Sequence, residues 1–167
     1  MERIGIVEAL FVSPQQGNLD NPTQMEAQEK VVVIPDGIEG DRYATGTGFW
    51  QGVDSKKTPG KRKQRAISII SADDIEDGNR ENGTNINPVD TRRNIVIRGV
   101  KNLQQYIGRD LHIGEVVLYV SDDCDACNRP SKIARKDGFE KFGRKGGVRA
   151  VPVKTGPINK NAEVFVE

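Results

Sequence analysis

The only two cysteines of the chain stand three residues apart, in the stretch DDCDACNRP, residues 122 to 130. A C-x-x-C pair can hold a metal, run thiol–disulfide exchange or carry sulfur, and its surroundings must decide between them. Cys124 and Cys127 supply two ligands and His112 is the only histidine, so a closed four-ligand zinc site would need carboxylates to complete it. An iron–sulfur cluster normally takes four thiolates. A thioredoxin-like redox pair opens a helix after a strand in a βαβ unit, and no such unit is visible here. Arg129, Lys132, Arg135 and Lys136 favour thiolate, whereas Asp122, Asp123 and Asp125 oppose it. Two incidental loop thiols remain the plain alternative.

Three further constellations could bind an anion. In GIEGDRYATG (37–46), Gly40 permits a tight turn, and Asp41 and Arg42 offer a carboxylate beside a guanidinium fork suited to phosphate or carboxylate. The commoner use of such a pair is a structural ion pair. In DTRRNIVIRGV (90–100), strand alternation would send Arg92 and Arg93 to opposite faces, one solvated and one toward a cleft, with Asn94 capping the turn or binding a ligand. In RKGGVRAVPVK (144–154), Gly146 and Gly147 would let backbone amides approach an anion, with Arg149 nearby. The run KKTPGKRKQR (56–65) holds six cations in ten residues, but no aromatic for stacking interrupts it, so a solvated loop is the expected reading.

The elements that must carry these residues are mostly strands. Apolar residues recur with a period of two over 3–12, 30–35, 65–70, 94–99, 110–121, 148–154 and 162–167, with a bend or hairpin at Gly114. Helical signals are short: Ser71 and Asp74 form a capping-box pattern before 72–81, 101–108 stops at Gly108, and 131–143 is interrupted at Gly138. Eighteen glycines and eight prolines fit many short strands, hence a sandwich or barrel. At 167 residues one domain, 1–167, is expected, with long loops at 13–24 and 44–64. Lys plus Arg numbers 25 against 24 for Asp plus Glu, which argues against a dedicated nucleic-acid binder. Neither a signal-peptide pattern nor a membrane-spanning apolar run occurs, so a cytoplasmic, non-membrane protein is expected.

Taken in order, GIEGDR (37–42), RAISIISADDIE (65–76), RRNIVIRGVKNLQQYIGRDLHIGEVVL (92–118), the cysteine segment and GGVRAVPVKTGPINKNAEV (146–164) resemble the MOSC family. That family takes its name from the C-terminal domain of molybdenum-cofactor sulfurases. The resemblance spans roughly 3–167 and is closest to the small stand-alone bacterial members. It implies a mainly β fold, a MOSC-type β-barrel (pyruvate-kinase-barrel-like) with a few short helices and a pocket for the molybdenum cofactor (molybdopterin). By the same resemblance, Cys127 is the thiol that binds molybdenum or carries sulfur, and Cys124 is auxiliary. Asp41, Arg42, Arg93, Asn94 and Arg149 are carried over as residues lining the pterin phosphate.

The implied activity is sulfur transfer in cofactor or metal–sulfur cluster assembly, with a cysteine desulfurase as the partner. Pyridoxal phosphate would enter only through a separate partner sulfurase, since the aminotransferase-like domain is missing. The alternatives are a molybdenum-dependent reductase of N-hydroxylated compounds served by an external electron-donor protein, and a cofactor-free or zinc-binding barrel without enzymatic activity. Two departures stand out: Tyr43 occupies a place where relatives often have histidine, and three aspartates flank the cysteines.

Overall fold

A computed structural model describes residues 1–14, 24–45 and 66–167. The strands form in chain order as β1 (Glu2–Val12), β2 (Glu26–Gln28), β3 (Lys30–Ile34), β4 (Gly37–Ile38), β5 (Ile67–Ser71), β6 (Ile95–Arg98), β7 (Asp110–Ile113), β8 (Val116–Asp123), β9 (Val148–Lys154), β10 (Gly156–Asn159) and β11 (Glu163–Val166). The order β11-β7-β8-β9-β5-β6-β1 closes on itself through β1–β11 pairing. The result is the expected barrel, a ring of seven strands with β2 hung on β1 and a small β10-β3-β4 sheet alongside. Every pair in the ring is antiparallel except β5–β6.

The period of two seen in the sequence sorts the strand residues between two cores. Side chains such as Val7, Leu10, Ile67, Ile69, Ile95, Leu118, Val148 and Ala150 fill the barrel. The intervening positions Phe11, Ile70 and Val96 point outward and join Ile75, Phe139 and Phe142 in a second cluster. That cluster packs under the helix α2 (Ala72–Asn82), which follows β5 and carries the chain over to β6. Ser71 caps this helix as its pattern predicts: its Oγ accepts from the Asp74 amide at 3.0 Å and donates to the Val100 carbonyl. Arg98 on β6 ties the same helix to β1 through Asp73, Glu76 and Glu8.

Some boundaries differ from the expectations. The 131–143 helix is two pieces, α3 (Asn128–Ala134) and a 3-10 stretch Phe139–Gly146, because Arg135 (φ 56°) and Gly138 (φ 111°) turn left-handed between them. The 101–108 helix is a 3-10 turn, Leu103–Tyr106. Most of the two long loops, 15–23 and 46–65, lies outside the described residues, as does the basic run 56–65. The second loop starts later than expected, because Arg42–Thr45 form one helical turn, α1.

Candidate functional site

Five residues form a row across the strands: Asp122 (β8), Arg149 (β9), Ser68 (β5), Asn94 (just before β6) and Phe11 (β1). Asp122 pairs with Arg149 and Arg149 with Ser68. Asn94 donates its amide to the Ser68 carbonyl at 3.1 Å, and its own carbonyl accepts from the Phe11 amide at 2.8 Å. Phe11, Ser68 and Arg149 each alternate with side chains of the barrel interior, so the row they define lies on the outer wall. A barrel mouth is a common place for a ligand site. Here the barrel is plugged by aliphatic side chains, and the polar groups gather outside it.

Asn94 is the clasp of this row. Its Oδ1 accepts from the Ser68 amide and hydroxyl, both at 3.1 Å, and its Nδ2 donates to the Phe11 carbonyl and to Asp41 Oδ1, both at 3.2 Å. Asp41 is fully buried and also accepts from the Ser13 amide at 2.9 Å and the Tyr43 amide at 3.4 Å. These two residues knit the end of β1, the turn after β4 and the starts of β5 and β6 into one platform. Their hydrogen-bonding groups are spent on the chain itself, which makes them supports of the site.

On this platform sits positive charge. Arg42, Arg92, Arg93 and Arg149 are each 5–6% exposed. Arg42 lies 3.8 Å from Asp41 and stacks on Tyr43 at 4.6 Å, and Arg149 lies over the same ring at 5.3 Å. Tyr43, in the place of a histidine, is therefore a shared face for two guanidinium groups. Arg92 donates to Ser13 Oγ at 3.2 Å. Burial, then the charge of Arg42 and, further down, that of Arg129, push the Arg92 guanidinium down to about 10. Burial is the largest influence on Arg149 and lowers it, yet Cys124 and Tyr43 beside it together raise it.

The two arginines of the RRN motif take different roles, but neither is solvated as expected. Both are buried, because Arg92 is left-handed (φ 59°) and breaks the strand alternation before β6 begins. Arg93 makes hydrogen bonds to carbonyls alone: Gly146, Thr91, Cys124 and Asp125. The carried-over set thus contains one arginine turned into the chain, and its neighbour Arg92 joins Arg42, Arg149 and Arg129 instead. Arg129 follows the cysteines closely and carries no motif, so only its position near them could have pointed to it.

The thiols differ sharply. Cys124 is buried and Cys127 exposed, the latter at the N-cap of α3. Gly146 and Gly147 act here as close-approach points of the chain. A Cβ on Gly146 would lie 2.3 Å from the Ala126 nitrogen, and one on Gly147 (φ 103°) would lie 2.1 Å from the Ile69 carbonyl. Both are needed to seat the cysteine turn against β5. Among the described residues there is no cluster of three or more His, Cys, Asp or Glu able to hold a metal. His112 is an ordinary residue of β7, 3.2 Å from Glu167.

A family model described as the MOSC domain matches residues 43–160. The solved YUAD protein from Bacillus subtilis is 16% identical, with a TM-score of 0.75 over 97% of this chain and 94% of that one. YiiM from Escherichia coli is 14% identical, with a TM-score of 0.63 over 97% and 69% of the two chains. YiiM from Geobacillus stearothermophilus is 12% identical, with a TM-score of 0.67 over 96% and 74%. At such identities these likenesses speak for the fold. No curated protein matches the chain significantly.

Proposed function

Because the chain belongs to the MOSC domain family, we propose that it binds the molybdenum cofactor on the outer wall of its barrel and receives sulfur on Cys127. The observation that carries this reading is the group of buried arginines around one buried carboxylate, next to the two thiols. Burying several guanidinium groups together is costly, and an anion entering among them offsets that cost. Burial first, and then the like charge of Arg42, depress Arg92, and a phosphate beside it would favour the charged guanidinium.

The donor set fits the cofactor. Arg42, Arg92 and Arg149 would take its phosphate, with bidentate forks rather than point charges. Cys127 would offer the soft sulfur that molybdenum accepts. When bound, the cofactor supplies a redox-active metal held by a dithiolene. Asp41 and Asn94 fix the platform, and Tyr43 holds two of the guanidinium planes in place.

The exposure of Cys127 favours sulfur transfer over the alternatives, since the thiol must meet a donor protein. A persulfide on that donor reacts as Cys127–SH + donor–S–SH → Cys127–S–SH + donor–SH. The outer sulfur moves, the donor leaves as its thiol, and no net oxidation occurs. A cysteine desulfurase is the partner of this chemical type, and it would bring the pyridoxal phosphate. A reducing, cytoplasmic setting keeps both thiols available; among the described residues no helix is long and apolar enough to cross a membrane.

The test uses protein from cells that make the cofactor, assayed for molybdenum, pterin fluorescence and persulfide by mass spectrometry. Wild type should hold all three. Arg92→Asn should lose molybdenum and pterin together, and Cys127→Ser should lose the persulfide. Wild-type protein with neither pterin nor persulfide sinks the reading.

A further inference from the structure

We infer that Arg93 is a positioning residue that folds the cysteine turn inward, so that Cys124 is enclosed and Cys127 alone meets an incoming reactant. Only the use made of the thiols rests on the reading above. Arg93 is 5% exposed, and its four hydrogen bonds all end on backbone carbonyls. Nε donates to Gly146 at 2.8 Å and Nη1 to Thr91 at 3.1 Å, while Nη2 donates to Cys124 at 3.0 Å and Asp125 at 3.5 Å. The Phe139 ring lies under the guanidinium at 5.3 Å. One planar fork therefore joins three stretches that are distant in sequence: the approach to β6, the cysteine turn and the approach to β9.

The turn relies on this fork. Its amides bond outward, Cys124 to the Gly147 carbonyl and Ala126 to the Gly143 carbonyl, both at 2.9 Å. Arg93 collects the carbonyls of Cys124 and Asp125 that face the other way. Gly146 is the floor beneath, since a Cβ there would lie 2.3 Å from the Ala126 nitrogen, 2.6 Å from the Cys124 oxygen and 2.8 Å from the Asp125 carbonyl carbon. Lysine cannot do this work: it carries one compact ammonium and no fork to reach four carbonyls on three stretches. Exposure of the two thiols follows from the clamp, with Cys124 buried and Cys127 exposed.

Native alkylation of single-thiol proteins by a maleimide tests this, and it needs neither metal nor sulfur donor. A protein that never binds cofactor still answers it. With Cys124→Ser, the remaining Cys127 should react like an exposed thiol. With Cys127→Ser, the remaining Cys124 should react at least about tenfold more slowly, because a buried group waits for local opening. Adding Arg93→Lys should raise the Cys124 rate toward that of Cys127 and leave the Cys127 rate unchanged. Leu111→Ala, in β7, is the destabilised control and should leave Cys124 protected. Gly146→Ala should release Cys124 as Arg93→Lys does. In wild type the Cys124 and Ala126 amides should exchange hydrogen as slowly as those of β9, a measurement that needs no variant. The inference fails if those amides exchange as fast as an exposed loop, if Cys124 stays protected in soluble Arg93→Lys, or if Leu111→Ala exposes it equally.

Discussion

Arg92 and Arg93 are neighbours with opposite tasks, and the difference begins in one dihedral angle. A period-two rule applied to RRN predicts one solvated arginine, but the left-handed backbone of Arg92 rotates its side chain into the cluster with Arg42. Nothing local in the residue types announces a positive φ on an arginine, so the sequence could name both candidates and could not assign them. The same geometry yields a prediction. Asparagine tolerates φ near 59° better than most residues, so Arg92→Asn relieves both strain and like-charge crowding. The variant gives up the Arg92–Ser13 bond as well, so the cofactor-free protein should stay folded with one cooperative melt while anion binding falls, measured as loss of phosphate-induced thermal stabilisation.

Asp74 supports a second residue-level prediction. Its carboxyl is raised above 3.8, first by burial, although the Asn102 amide donates to it and pulls the other way. A carboxyl raised on folding binds its proton more tightly in the native state, so the stability it contributes is present below 3.8 and lost as pH rises through the higher native value. Asp74→Asn keeps an acceptor for Asn102 without the charge. It should therefore be at least as stable as wild type at neutral pH, and the gain should vanish in acid, checked by denaturant melts across pH.

At the level of elements, most strands and the start of α2 are legible, because alternation and a serine cap are short-range signals. Ser71 shows how such a signal becomes energy. Its hydroxyl serves the Asp74 amide and the buried Val100 carbonyl together, so Ser71→Ala should cost at least about 1 kcal/mol of stability in chemical denaturation. The short strands β2, β4 and β10 escape such reading, since they show no apolar alternation of their own and exist through pairing with β1 and β3. The start of α3 escapes it too, because Cys127 occupies the N-cap without a side-chain cap bond. The glycine pair 146–147 was legible as a close approach, but what approaches is the chain's own cysteine turn and β5.

For the whole molecule, a closed ring with a filled interior means that the larger core and the candidate site are on opposite sides of one wall. Leu111 is fully buried inside the ring, where β7 meets β8 and β11. Leu111→Ala should remove about 3 kcal/mol, and calorimetry should still show a single transition if the chain unfolds as one domain. The class of fold could be read from alternation and glycine content, whereas the placement of the site on the outside could not. It depends on which alternate faces meet once the ring closes, and that is a property of register.

The number seven has its own consequence. Around any closed circuit the strand directions must reverse an even number of times, so an odd circuit cannot be antiparallel throughout. Six reversals leave one mismatch, and β5–β6 is where it falls. Elsewhere in the circuit a beginning lies beside an ending; at this one place two beginnings lie side by side. Ser68 and Asn94 meet there, and the RRN arginines arrive on the same rim. Only an eighth strand inserted between β5 and β6, antiparallel to both, would abolish the mismatch, and it would part Ser68 from Asn94. Anywhere else it would add a second parallel pair, so the clasp and the arithmetic of the circuit stand or fall together.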